Sequence, residues 1–354
     1  MPDKELRKKI GQLFLVGFEG RSQTPALKEL ITRYHVGGII LFARNISEPL
    51  QAWELLRSFK SRDLLRAIDH EGGRVQRLQA PVTHFPPARN IGLTGSTKIA
   101  FDAGFAQARE LVALGFNLNF APVLDIHTNP VNRVIGDRAF AADPDTVARL
   151  GSATIKGMQA AGIATCGKHF PGHGDTRDDS HEVLPRLRHG GAALKARELI
   201  PFEAAIRAGV DAMMTAHVVY EGLDEQRPAT LSPAAIHGLL RRDLRFDRVV
   251  MTDDLEMRGI ADHYDPDDAA IMALKAGVDV MLFCHSMARQ IAAIEAVYKA
   301  VDGRILKPET ILAAWERVQR LKQITRKTAV AANAGDLMAV LNDPEHKRLA
   351  ASLA

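Results

Sequence analysis

Three short stretches concentrate the residue types that move protons or attack carbon. The longest, GKHFPGHGDTRDDSHEVLP over residues 167–185, carries Lys168, His169, His173, Asp175, Asp178, Asp179 and His181 among glycines and a proline. So polar a stretch cannot be core, so it reads as a surface loop, and function is the usual reason for a loop this long. Three chemistries compete for it. His169, His173 and His181 with an Asp could hold zinc, since imidazole and carboxylate suit that ion, although the spacing matches no metal motif. Lys168 could form a Schiff base, a chemistry that requires neither the adjacent histidine nor the acidic loop. His181 oriented by Asp179 could exchange protons at neutral pH: an imidazole titrates at about 6.5, and a carboxylate on one ring nitrogen fixes its tautomer and stabilises the cation.

The second stretch, VVMTDDLEM over 249–257, offers a carboxylate suited to attack on an anomeric carbon. Side chains alternate faces along a strand, so Asp253 and Asp254 are sent to opposite sides, and parity alone does not choose between them. Capping the following helix is a structural role open to one of the two, and Asp254 is assigned to it. The third stretch, IDHEGGRVQRL over 68–78, ends an apolar run at Asp69 and turns through two glycines. That turn would bring Arg77 back over the same spot. A carboxylate accepts hydrogen bonds from sugar hydroxyls and a guanidinium donates to them, so Asp69 and Arg77 suit the gripping of one pyranose ring. The plain alternative is a glycine turn with solvated arginines.

These groups need elements to hold them, and eight short apolar runs are candidates: residues 12–18, 37–42, 64–69, 116–123, 163–170, 211–218, 248–254 and 279–284. Several are apolar on both sides, as strands between a packed barrel interior and an outer helix layer must be. Amphipathic stretches at 24–34, 50–60, 97–114, 144–160, 192–208, 233–243, 267–276 and 287–300 read as the intervening helices. The expected fold is therefore a (β/α)₈ TIM barrel over about 10–300. Appended helices follow over about 301–354, with Pro308 and Pro344 near helix starts, in one catalytic domain spanning 1–354. The polar interruptions fall at the carboxyl ends of the runs: Asp69, Asp125, Lys168 and His169, His217, Asp253 and Asp254, His285. That is the catalytic face of such barrels, whereas only Asp211, Arg248 and Asp279 mark strand starts.

Composition narrows the classes further. Hydrophobic residues make up 46% and charged ones 25% of 354 residues, which excludes disordered and fibrous chains. The net charge of +4 comes from 46 basic and 42 acidic side chains that are interleaved. The denser basic stretches, Arg241 to Arg248 and Arg317 to Lys327, read as solvated helix faces and not as a nucleic-acid surface. Cys166 and Cys284 each sit in an apolar run and read as core residues of a chain in a reducing compartment. The first residues hold a basic stretch and an apolar one without a small-x-small cleavage site, so a first barrel strand is expected there and a cytoplasmic location by default.

Taken together, KHFPGHGDTRDDSH, DHEGGRVQRL, IGDRAF and MTDDLEM resemble the bacterial β-N-acetylhexosaminidases of glycoside hydrolase family 3, of the NagZ type that serves peptidoglycan recycling. The resemblance covers about residues 10–300. It implies that Asp253, the first acidic residue after Thr252, is a nucleophile that forms a covalent glycosyl-enzyme. It implies His181 as acid/base with Asp179 as partner, and Asp69, Arg77, Arg138, Lys168 and His169 as the grip on an N-acetylglucosamine ring. Asp125 and His217 stand beside these as weaker candidates. Larger family members place an acid/base glutamate on a second domain that this length does not accommodate, so the proton donor is expected from the barrel. Histidine in that role departs from the common two-carboxylate scheme but keeps its two-step logic.

The implied activity is that of a retaining exo-β-N-acetylglucosaminidase. Its expected substrate is N-acetylglucosamine linked to 1,6-anhydro-N-acetylmuramic acid, with or without a stem peptide, in cell-wall recycling with its links to cell shape and division. The loop 170–183 is expected to close on substrate. No metal or organic cofactor is expected, the partner is a small-molecule muropeptide without nucleic acid or membrane, and a monomer is expected. The rivals are substrate-assisted hydrolysis through the acetamido oxygen, a metal-dependent barrel hydrolase built on the loop histidines, and a sugar-binding barrel without catalysis.

Overall fold

A computed structural model describes residues 3–180 and 182–354. Each of the eight apolar runs contains one barrel strand: β1 Phe14–Val16, β2 Gly38–Leu41, β3 Leu65–Ile68, β4 Leu118–Asn119, β5 Ala164–Phe170, β6 Ala212–Thr215, β7 Val249–Asp254 and β8 Val280–Phe283. They pair in sequence order, all parallel, and β1 closes on β8 with Phe14 opposite Met281. The β1, β2, β4, β5, β6 and β8 strands are buried at every position, and β1, β2 and β8 are accordingly apolar on both faces instead of alternating.

The helices begin where polar caps precede an apolar stripe. Thr24, Ser96, Asp143 and Ser286 each accept a hydrogen bond from a backbone N–H of the first turn of the helices Pro25–Tyr34, Thr97–Leu114, Pro144–Ala160 and Met287–Asp302. Pro308 and Pro344 open the helices Pro308–Thr325 and Pro344–Ser352. Leu321, Leu337 and Leu341 of the C-terminal helices join the core, and Ala350 and Leu353 join a smaller cluster with Phe85 and Phe140.

Three expectations are corrected. The chain does not enter β1 directly, because Lys4–Gly11 is a helix capped by Asp3, whose side chain accepts from the Leu6 N–H at 2.7 Å. The helix expected over 192–208 breaks into Gly191–Ala196 and Leu199–Ala208. At the break Arg197 leaves helical geometry and reaches Asp175 at 3.1 Å. The basic stretches are not simply solvated: Arg241 and Arg317 both bind the buried Asp279, at 2.6 and 3.0 Å, and Lys322 is buried. Asp279 in turn accepts the Val250 N–H, and Asp211 accepts the Thr165 N–H. The charges at the strand starts thus pin neighbouring strands together at the bottom of the barrel.

Candidate active site

At the opposite, carboxyl ends of the strands lies a cleft of about 530 Å³. Asp69, Arg77, Arg138, Lys168, His169, Asp179 and Asp253 all line it, so seven residues spread over 185 positions of chain converge on one space. His181 lies outside the described residues. A groove of similar size, about 540 Å³, sits on the outer surface between the helices 144–160 and 199–208, but it contains no histidine and a single carboxylate, so the barrel mouth is the chemically equipped one.

The floor of the cleft is a buried ion network. Lys168, on β5, bridges Asp69 at 2.7 Å and Glu71 at 2.5 Å, and Glu71 holds Arg138 through two bonds of 2.8 Å. Burial alone would raise the Glu71 carboxyl, but Arg138 and Lys168 outweigh it and hold the group well below the usual carboxylate range. Burial would equally neutralise Lys168, and Asp69 with Glu71 reverse that, so the amine stays a cation. A protonated, ion-paired lysine is a hydrogen-bond donor and not a nucleophile, which tells against the Schiff-base reading. Glu71 was missed from the sequence, although it stands two residues from Asp69 in a segment where alternation puts both on one side.

Arg77 reaches the cleft through the turn expected of the glycine pair. Gly72 and Gly73 have φ of 94° and 54°, and a β-carbon on Gly72 would lie 2.8 Å from the Pro86 carbonyl oxygen. The turn joins the short antiparallel strands His70–Gly72 and Val75–Gln76. The buried Arg77 Nε has no hydrogen-bond partner among the described residues.

Behind His169 stands Asp125, which is fully buried and accepts from His169 Nδ1 at 2.6 Å and from the His173 N–H at 2.6 Å. Burial disfavours the Asp125 charge, yet His169 and His173 keep its carboxyl low. Asp125 therefore acts behind the cleft wall, fixing the ring of His169. His217, the other weaker candidate, is buried just past the end of β6, with Nδ1 on the Thr230 hydroxyl at 2.8 Å and Nε2 on the Asp254 carbonyl at 3.0 Å.

Both strand-end carboxylates of β7 reach the cleft, but their surroundings differ. Asp254 accepts from the N–H groups of Glu256 and Cys284 and meets His285 Nε2 at 3.2 Å. It does not cap a helix: the short helix Arg258–Ala261 starts after Met257, so the assigned capping role is replaced by a turn-and-strand anchor. Asp253 is half-buried, and its Oδ1 accepts the Asp254 N–H at 2.8 Å. The hydrogen bond that His285 Nε2 donates to Asp254 raises the imidazole above its ordinary value despite partial burial. Opposite, Phe42 stacks on His285 with ring centroids 6.2 Å apart.

Metal binding by the loop histidines fares poorly on donor chemistry. His173 has both ring nitrogens in hydrogen bonds, to Thr176 Oγ1 at 2.9 Å and Ser180 Oγ at 3.0 Å, and His169 has one on Asp125. The described residues group three possible ligand atoms elsewhere, on Asp175, His189 and Glu198. There Arg197 already bridges both carboxylates, a cation in the place a metal ion would take.

Comparison with known proteins agrees with this geometry. Residues 5–321 match the glycosyl hydrolase family 3 N-terminal domain. The β-hexosaminidase of Methylococcus capsulatus is 41% identical over 286 residues, 79% of this chain and 84% of that protein. The β-hexosaminidase A of Pseudoalteromonas piscicida is 37% identical over 93% of this chain, which spans 60% of that relative's length. A family 3 β-N-acetylglucosaminidase from Paenibacillus superposes with a TM-score of 0.93 at 42% identity, over 98% of this chain and 68% of that one. The chain belongs to glycosyl hydrolase family 3. Within it, the chain belongs with the β-hexosaminidases.

Proposed function

We propose that this protein is a retaining exo-β-N-acetylglucosaminidase that releases terminal N-acetylglucosamine from peptidoglycan fragments, as a cytoplasmic monomer in cell-wall recycling. The observation that carries the reading is the cleft itself: an ion-paired wall of hydrogen-bonding groups, Asp69, Arg138, Lys168 and His169, faces a strand-end carboxylate, Asp253, in one space. Such a wall suits several hydroxyls of one sugar ring, because it presents donors and acceptors that are already held in place.

In this reading the Asp253 carboxylate attacks the anomeric carbon while the bond to the leaving oxygen breaks, and His181, protonated, gives its proton to that oxygen. The neutral imidazole then takes a proton from water as the water attacks the glycosyl ester, which frees the sugar with its anomeric configuration retained and restores the imidazolium. Asp179 orients His181. A chromogenic β-N-acetylglucosaminide should be cleaved far faster than the matching β-glucoside, and His181→Ala should lower kcat by about 10²- to 10⁴-fold. A 2-fluoro sugar should label Asp253; an enzyme that turns over without any covalent adduct would instead work through the substrate's acetamido oxygen. Among the described residues no helix is long and apolar enough to cross a membrane.

A further inference from the structure

In the loop between β5 and the strand Arg186–Gly190, Ser180 is held from two directions. Its hydroxyl bonds His173 Nε2 at 3.0 Å, and its carbonyl accepts the Gly259 N–H at 3.2 Å. His173 is itself immobilised: its N–H is on Asp125, its Nδ1 on Thr176, and its carbonyl accepts from Asn132 Nδ2 at 2.8 Å. Burial and the neighbouring His169 hold the His173 ring down to about 4, so the fastening does not change charge near neutrality. Gly259 belongs to the segment that follows Asp253, and a β-carbon there would lie 2.7 Å from the Ser180 carbonyl oxygen and 2.9 Å from that of Val183. The N–H groups of Glu182 and Val183 both donate to the Asp179 carbonyl at 2.9 Å, which ties these residues together beside the junction.

We propose that Ser180, clamped between His173 and Gly259, is a positioning residue that sets the proton-transfer segment against the loop of the nucleophile. The proposal rests on the acid/base reading above. A clamp that only stabilised the fold would affect all substrates alike. One that aims the proton donor makes the first step, departure of the leaving group, sensitive to how much that group needs a proton, whereas the later hydrolysis of the glycosyl ester is the same for every substrate.

The test is a series of aryl β-N-acetylglucosaminides, from 2,4-dinitrophenyl to unsubstituted phenyl, assayed on the full chain with Ser180→Ala, Ser180→Thr, Gly259→Ala and, as reference, His181→Ala. Thermal melts accompany each variant. Ser180→Ala and Gly259→Ala should lose about tenfold or more in kcat/KM, which reports the first step, on the phenyl substrate but less than about threefold in kcat/KM on the dinitrophenyl one. Ser180→Thr, which keeps a hydroxyl, should recover most of the loss. If His181→Ala shows the leaving-group dependence in kcat/KM while both clamp variants fall equally in kcat/KM on all substrates, or not at all, the clamp is refuted and the acid/base reading stands. If His181→Ala itself shows no such dependence, both are refuted.

Discussion

Glu71 is the residue on which the ion-paired wall of the cleft depends, since it holds Arg138 and Lys168 in a place where neither cation has much water. Removing one partner of a buried ion network leaves the others charged and uncompensated, so Glu71→Ala should cost about 3–5 kcal/mol in unfolding free energy, read from denaturant titration. Its carboxyl is depressed in the folded state, so its contribution is present above the unfolded value of about 4.3 and is lost as the pH falls through the lower folded one. Glu71→Gln should accordingly flatten the acid limb of the stability profile. His173 shows the same sign for a different reason. Folded, it is held down to about 4; unfolded, it takes a proton at about 6.5, so between these values the unfolded chain binds more protons. Stability is therefore full above about 6.5 and falls by on the order of 3 kcal/mol toward pH 4, and urea titrations across this window should show a shallower slope in His173→Gln.

Among the elements, the glycine turn of residues 72–73 decides whether Arg77 reaches the cleft. Gly72→Ala places a β-carbon against a carbonyl at a φ that L-residues rarely adopt, at a cost of about 1–2 kcal/mol. If Arg77 is displaced with it, KM for the N-acetylglucosaminide should rise about tenfold, the scale of one lost hydrogen bond to a charged donor, with kcat changing less. Steady-state kinetics beside a thermal melt separates the two effects. The strands and most helices were legible from the sequence because their periodicities are local: a run such as GIIL is apolar at every position only where both faces are covered. The break at Arg197 was not legible, because the residue that pulls it out of the helix, Asp175, lies 22 positions away.

At the scale of the whole molecule, the two ends of the barrel use charge oppositely. The upper end gathers it around a cleft, and the lower end spends it on strand pinning through Asp211 and Asp279. Lys322 belongs to the lower end: buried on the helix 308–325, it touches Gln12, and burial pulls its ammonium down to about 7. An unfolded lysine keeps its proton to about 10.4, so between these values the unfolded chain binds more protons and stability rises with pH. Lys322→Met should remove that alkaline gain, seen as melting temperatures that no longer climb between pH of about 7 and about 9.5.

What the sequence determined by itself was the barrel and the identity of most groups at its mouth, because strand ends can be counted along the chain and polar residues at those ends stand out against apolar runs. The motif DHEGG even contained Glu71, but nothing local says that a glutamate will meet a lysine 97 positions later. Only the tertiary structure decided which neighbours share the work: that Asp254 anchors a turn beside Asp253 at the cleft, that Asp125 serves His169 from behind, and that Ser180 ties two loops together. The reason is physical. Secondary structure is governed by interactions a few residues apart, whereas the role of a charged side chain is set by burial and by partners that only closure of the barrel brings within reach.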